Sequence, residues 1–448
     1  MDITSLIPEF GSGLLTVLAF IVALSVIVAI HEYGHYIVGR WSGIGADVFS
    51  IGFGPVLWSR VDKRGTKWQI AALPFGGYVK FKGDANAASG KDEEAMSEMT
   101  PEERRATMHG APLWARSATV AAGPVFNFIL SILVFGAVFL FQGQASEQLA
   151  VGGFRDMDVE TYDIQVGDRI LAIDGVSVPL LGEVEAYESF VKNLPRQSPL
   201  EYKVDREGNE MIVDGPVLYP PFVTGLAPQS AAYNAGLELG DVITSLDNKP
   251  ITVFAELKEI VEASDGRALP MQVRRDGEQL DFTLVPRRVD EPQADGGFVT
   301  HWRIGVAGGL IFEPAMEAVG PGKALTGGVL QTYAIVRGSI SGIYHMVTGA
   351  ISSCNLSGPI GIAQTGGAMA SQGAQSFIWF IAVLSTAVGL LNLFPIPMLD
   401  GGHLVFYGFE AIAGRPPSDK VMNWLMTGGL FIVLSIMVFG VTNDLFCP

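Results

Sequence analysis

Val28-Ala29-Ile30-His31-Glu32-Tyr33-Gly34-His35-Tyr36 sets two histidines and an acid inside a run of apolar residues. On a helix, positions four apart share a face. His31 and His35 can therefore point at one ion, with Glu32 beside them to take a proton from water. The bland alternative is two core histidines and a buried acid. With 6 His in 448 residues, His-Glu-x-x-His arises by accident in on the order of half a percent of such chains. The apolar run itself, about residues 14–38, is long enough to span a bilayer. Ionisable side chains inside such a span are costly unless they pair, ligate or line a wet cavity. A metal site accounts for all three of them.

Three further stretches, about 117–141, 376–396 and 424–441, are also long and apolar enough to span. The fold class expected is a multi-pass α-helical membrane protein with four transmembrane helices. Composition agrees, because 49% hydrophobic and 17% charged residues do not suit an ordinary soluble enzyme. A net charge of −17 equally excludes a wholly embedded bundle. Partition resolves the conflict: residues 142–375 hold 16 bases against 30 acids, which is −14 of the total. The loop 39–116 instead holds 11 bases against 9 acids, with Arg40, Arg60, Lys63, Arg64, Lys67 and Arg116 near the spans. The positive-inside rule makes that loop cytoplasmic, and places both termini and 142–375 outside. The first span lacks a basic leader and is expected to be retained. The acidic balance gives no reason to expect nucleic-acid binding. Cys354 and Cys447 are too few for a disulfide framework, and their pairing stays open.

A catalytic zinc usually takes three protein ligands and leaves one position for water. After the third span comes Asn392-Leu393-Phe394-Pro395-Ile396-Pro397-Met398-Leu399-Asp400-Gly401-Gly402-His403, and Asp400 is the only acid between Glu317 and Glu410. Asp400 could simply cap the helix that follows. Topology favours ligation. His31 lies about 25 Å along the first span at 1.5 Å per residue, toward the cytoplasmic side, and Asp400 follows the inner end of the third span. His403 is a competitor, expected to pack or to support a ligand. His109, His301 and His345 sit in other contexts.

His31-Glu32-Tyr33-Gly34-His35 with Asn392-x-x-Pro395-x-Pro397-x-Leu399-Asp400-Gly401 resembles the site-2 protease family of intramembrane zinc metalloproteases. Within it, the closer likeness is to the bacterial type that regulates sigma-factor proteolysis. The resemblance implies Zn2+ on His31, His35 and Asp400, with Glu32 as catalytic base. It also implies that Asn392 and Pro397 help to hold the substrate backbone.

Residues 142–375 contain an internal repeat. Val166-Gly167-Asp168-Arg169-Ile170-Leu171-Ala172-Ile173-Asp174-Gly175 aligns with Leu239-Gly240-Asp241-Val242-Ile243-Thr244-Ser245-Leu246-Asp247-Asn248. Each copy reads as a turn and a short strand, followed by a helical stretch (182–193, 253–263) and a strand (199–204, 269–274). With Ala227-Pro228-Gln229-Ser230-Ala231-Ala232 ahead of the second copy, the repeat resembles two PDZ domains, expected at 142–218 and 219–290. A linker with an amphipathic helix over 324–353 is expected in 291–375. Such modules bind extended chain by adding a strand to a sheet edge. They could also be spacers only.

On the other side of the membrane, 48–82 is β-rich around the polar turn Asp62-Lys63-Arg64-Gly65, predicting a membrane-associated hairpin. Its Ile70 and Ala72 are the expected backbone contacts for a substrate, which must be held extended to expose a scissile carbonyl. Residues 84–108 read as a polar loop with a short helix near 100–108, and a polar path is expected past Gly39 and Gly45.

Together these readings predict a zinc metalloendopeptidase of a bacterial inner membrane. The resemblance implies single-pass membrane proteins as substrates, such as anti-sigma factors or signal-peptide remnants, first trimmed by a site-1-type protease. Membrane lipid is the surrounding partner, and the PDZ pair would exclude untrimmed ectodomains. The rival readings are a non-catalytic PDZ scaffold with a structural metal and a metal transporter. Glu32 speaks against the scaffold, since a structural site needs no acid beside its ligands. A single ligand cluster speaks against the transporter.

Overall fold

A computed structural model describes residues 7–85, 92–155, 162–293 and 297–447. Part of the expected 84–108 loop, residues 86–91, lies outside them. The chain divides into two compact units, one of Met1–Ala137, Gly322–Gly349 and Ser353–Cys447, the other of Val138–Pro321 and Ala350–Ser352.

The first unit is helical around a small sheet. Its longer helices are α1 (Ile7–Trp41), α2 (Leu113–Gln142), α3 (Pro321–Val347), α4 (Pro359–Ser371), α5 (Ala374–Asn392), α6 (Asp400–Ala413) and α7 (Asp419–Phe446). Among the described residues, four stretches are long and apolar enough to cross a membrane: Gly13–Trp41, Leu113–Gln142, Ala374–Asn392 and Lys420–Phe446. The third ends at Asn392 rather than 396, because Pro395 and Pro397 lack the amide that would continue α5. The chain restarts as α6 at Asp400. In α3, Ala324, Gly328 and Thr332 are buried at fourfold spacing while Leu325, Val329, Leu330 and Tyr333 are exposed. Gly328 comes so close to α2 that a methyl there would lie 2.3 Å from the Ile132 carbonyl oxygen. The helix expected over 324–353 thus begins earlier and lies against a span with its small-residue face.

Strands β1 (Ala46–Val61) and β2 (Lys67–Phe81) make more than a plain hairpin. Residues 46–51 pair with 77–81 on one side and 67–70 on the other, while 56–61 pair with 67–71. The reversal inside β1 falls at Gly52 and Gly54, whose φ values of +91° and +82° suit glycine, followed by Pro55. Phe49, Val79 and Phe81 pack with Tyr36 of α1 and with Met108, Ala115 and Val120 in one apolar cluster. Cys354 and Cys447 are joined in a disulfide with Cα atoms 5.6 Å apart. Beside it, Asp444 of α7 accepts the N–H groups of Gly358, Ile360 and Gly361 at the start of α4.

The second unit repeats one design. Strands Val176–Ser177, Arg169–Ile173, Leu200–Arg206 and Asn209–Gly215 form a sheet in that order, beside a helix at Val184–Asn193. Lys249–Pro250, Val242–Leu246, Leu269–Arg275 and Glu278–Leu284 form its counterpart, beside a helix at Phe254–Glu262. The repeated aspartates do the same work in both. Asp168 and Asp241 are wholly buried, pair with Arg206 and Arg275 at 2.7 and 2.6 Å, and accept the N–H of Gln165 and Glu238.

The expected linker carries strands between 298 and 317. Val306–Ala307 pairs with Gly225–Leu226, Phe312–Pro314 pairs with Val151–Phe154, and Ile304, Ile311 and Phe312 enter the two cores. The returning chain closes both modules, which a reading by consecutive segments does not reveal.

A candidate metal centre

The helical phase of α1 brings His31 and His35 together on one side, as spacing four requires. Their Nε2 atoms lie 3.1 Å apart. Asp400, first residue of α6, turns its Oδ2 to 3.2 Å from His31 Nε2 and 3.5 Å from His35 Nε2. These are the only three among the described residues whose ligand atoms gather this closely. All three side chains are mostly buried, at 12, 12 and 18% exposed.

The loop before α6 delivers Asp400 under constraint. Met398 holds φ +88°, a left-handed value that costs energy for a side-chain-bearing residue. Gly401 lies so close to the end of α5 that a methyl there would meet the Leu393 and Phe394 carbonyl oxygens at 2.3 Å. At the far end of α6, Glu410 accepts a two-pronged bond from Arg116 of α2, at 2.6 and 3.0 Å. The Arg116 guanidinium also covers the Tyr407 ring at 5.1 Å.

The donor set fits zinc. Tetrahedral ligands about 2.0–2.1 Å from one ion stand roughly 3.3 Å from each other, close to the three separations found here. Asp400 Oδ2 is also buried without a hydrogen-bond partner among the described residues, as a ligand atom awaiting a cation would be. Two nitrogens and one carboxylate oxygen leave a fourth position for water or substrate.

Glu32 lies beside the histidines, with the backbone of Val79 in β2 near its carboxylate. Gly77 abuts it, since a methyl there would meet Glu32 Cγ at 3.2 Å. The strand segment beside Glu32 is therefore 77–79. Ile70 and Ala72 are exposed on another rung, where Ile70 is paired on both sides, to Ile51 and Trp58. At Ile70 the sheet therefore has no open edge, because the chain folds back on both sides of it.

Asn392 ends α5 half-buried, with no hydrogen bond to the His31–His35–Asp400 cluster among the described residues. Pro397 is pressed against α7, where a methyl on Gly429 would lie 2.0 Å from its carbonyl oxygen. His403 stays outside the cluster and packs edge-on to Phe406. Both glycines at the ends of the polar path expected from Gly39 to Gly45 are closely packed. Gly39 packs on the Phe81 ring and Gly45 on the Lys82 side chain.

Sequence reading missed the share of α2. His35 Nδ1 lies 2.8 Å from the Thr119 carbonyl oxygen, and His31 Nδ1 lies 3.2 Å from the side-chain amide of Asn127. Gly123 sits between them against both rings. The signal was present as Thr119, Gly123, Asn127 and Ser131, a small or polar residue at every fourth position of a span.

The sequence profile of peptidase family M50 matches residues 19–436. A protein named as a zinc metalloprotease in Agrobacterium fabrum is 35% identical over 438 residues, covering 97% of each chain. The regulator of sigma-E protease RseP of Escherichia coli is 31% identical over 454 residues, covering 95% of this chain and 97% of its own. The chain belongs to peptidase family M50, the site-2 protease family of zinc metalloproteases.

Proposed function

We propose that the protein is an intramembrane endopeptidase in which His31, His35 and Asp400 hold zinc and Glu32 is the general base. The observation that carries this reading is the mutual spacing of 3.1, 3.2 and 3.5 Å among three ligand atoms from two separated motifs. Bound there, zinc would polarise the scissile carbonyl and ease deprotonation of water. Glu32 then takes the water proton and delivers it to the leaving nitrogen. The edge of 77–79 is the place for an extended substrate segment beside Glu32, since a helix keeps its carbonyls in its own hydrogen bonds. Asn392 and Pro397 line the loop that leads to Asp400 and would flank that segment.

The substrates proposed are transmembrane segments of single-pass proteins, of the anti-sigma-factor type or signal-peptide remnants, already trimmed by a site-1-type protease. The two modules of the second unit are read as PDZ-like domains, of 142–218 and 219–290 with strands added from 306–314. They would exclude untrimmed ectodomains. The protein is placed in a bacterial inner membrane, with its termini and PDZ-like pair outside and the centre toward the cytoplasm. The Cys354–Cys447 disulfide supports that orientation, because disulfides persist on the oxidising side.

The test is Glu32→Gln on a reporter bearing a transmembrane helix, with zinc content measured alongside. Retained zinc with abolished cleavage is expected; undiminished cleavage ends the base assignment.

A further inference from the structure

We infer that Asn127 is a positioning residue for His31: its amide oxygen accepts the proton on His31 Nδ1 and so turns Nε2, unprotonated, toward the metal. The inference rests on the proposed ligand role of His31.

A neutral imidazole carries one proton. If Nε2 ligates, that proton is on Nδ1 and needs an acceptor. His35 has one in the Thr119 carbonyl oxygen, 2.8 Å from its Nδ1. The matching place beside His31 Nδ1 is filled by Asn127, with its nitrogen at 3.2 Å and its oxygen buried without a partner among the described residues. That orientation would set donor against donor once Nε2 ligates. The two ends of an amide have the same shape, so their assignment follows from the hydrogen bonds they can make. A half-turn about the Cβ–Cγ bond puts the oxygen on the Nδ1 proton and relieves the orphaned acceptor.

The surroundings hold Asn127 where this requires. It is wholly buried, and its backbone carbonyl accepts the hydroxyls of Ser131 and of Ser385 on α5, at 3.0 and 2.9 Å. Thr119 and Asn127 are two helical turns apart on one face of α2, so that one helix supplies an acceptor to each ring. Gly123, midway, leaves room for the rings between them.

The experiment uses the full chain in detergent and measures zinc affinity by chelator competition and melting without metal. Asn127→Leu removes the acceptor and should weaken zinc binding by about 10- to 100-fold with little change in metal-free melting. Asn127→Asp can accept but cannot donate, and should bind zinc at least as tightly as the parent. Parent-like zinc affinity in Asn127→Leu overturns the inference, and so does an Asn127→Asp chain that folds yet binds as weakly as Asn127→Leu. Should either variant not fold, nitrogen-15 spectra of the zinc-loaded parent decide. A hydrogen-bonded proton on His31 Nδ1 is expected, and a bare Nδ1 overturns the inference. His35→Ala separates the two levels. If it leaves zinc affinity intact the ligand assignment fails, whereas loss there with no effect of Asn127→Leu removes only the positioning role.

Discussion

Gly123 of α2 faces His35 of α1 with no room between them: a methyl on Gly123 would lie 2.3 Å from His35 Nε2 and 2.8 Å from His31 Cε1. The ring atom met first is the one turned toward Asp400. A glycine in a membrane helix is commonly read as a helix-packing device, and here what it packs is the proposed ligand pair.

Gly123→Ala should therefore displace a ligand before it disturbs the bundle. The expected result is about 10- to 100-fold weaker zinc binding with a comparable loss of reporter cleavage, at near-normal expression. Parent-like zinc affinity in that variant would mean the rings can shift without leaving the ion.

Arg116 and Glu410 tie the start of α2 to the end of α6, with side chains only 15 and 18% exposed. Removing one partner strands a largely buried charge, which typically costs about 3–5 kcal/mol. Arg116→Met should lower the melting temperature and loosen α6, raising the zinc concentration needed for half-occupancy. Arg116→Met with Glu410→Leu should recover much of the stability, since no charge is then left unpaired. A double variant as unstable as the single one would point to packing on Tyr407 instead.

How much of this was legible in the sequence depends on the length scale of each signal. His31, Glu32 and His35 lie within one helical turn and a little more, so their spacing alone aligned them. Asp400 was reachable because it is the sole acid in a long apolar stretch. The spans were legible because length and apolarity are properties of a single segment. Asn127 and Gly123 were not singled out, since a neutral amide and a glycine in a span carry no chemistry until a neighbouring helix is placed against them. The choice of rung in the sheet has the same origin. Alternation identifies strands, but the reversals at Gly52–Pro55 and Pro74–Gly77 decide which of them borders Glu32. The closing strands at 306–314 were hidden because their partners lie 80 or more residues away.

The start of α4 is capped in trans by Asp444, which accepts three backbone N–H groups. Replacing it with Ala removes the acceptor and the favourable charge at a helix N-terminus, a loss of about 1–2 kcal/mol. Asp444→Asn, which keeps one oxygen, should lose less. Reducing the Cys354–Cys447 disulfide should enlarge the effect of Asp444→Ala, because disulfide and cap fasten the same two segments. Strictly additive losses in melting temperature would show that they act independently.

The acid sensitivity of the second unit should trace in part to Asp168. Burial alone would raise its carboxyl, but the hydrogen bonds from Arg206 and from the Gln165 amide outweigh this and hold it below the ordinary carboxylate value. A group depressed in the folded state contributes stability that is fully present above its unfolded value, near 3.9. That contribution is lost as pH falls through the lower, folded value. At neutral pH, Asp168→Asn should thus melt several degrees below the parent. On acidification below about pH 4 the parent should fall toward the variant and the gap should close. Hydrogen exchange in Leu200–Arg206, the strand that carries Arg206, localises the change to this module. A gap that stays constant from pH 7 to about 3 would assign the loss to packing rather than to the charge.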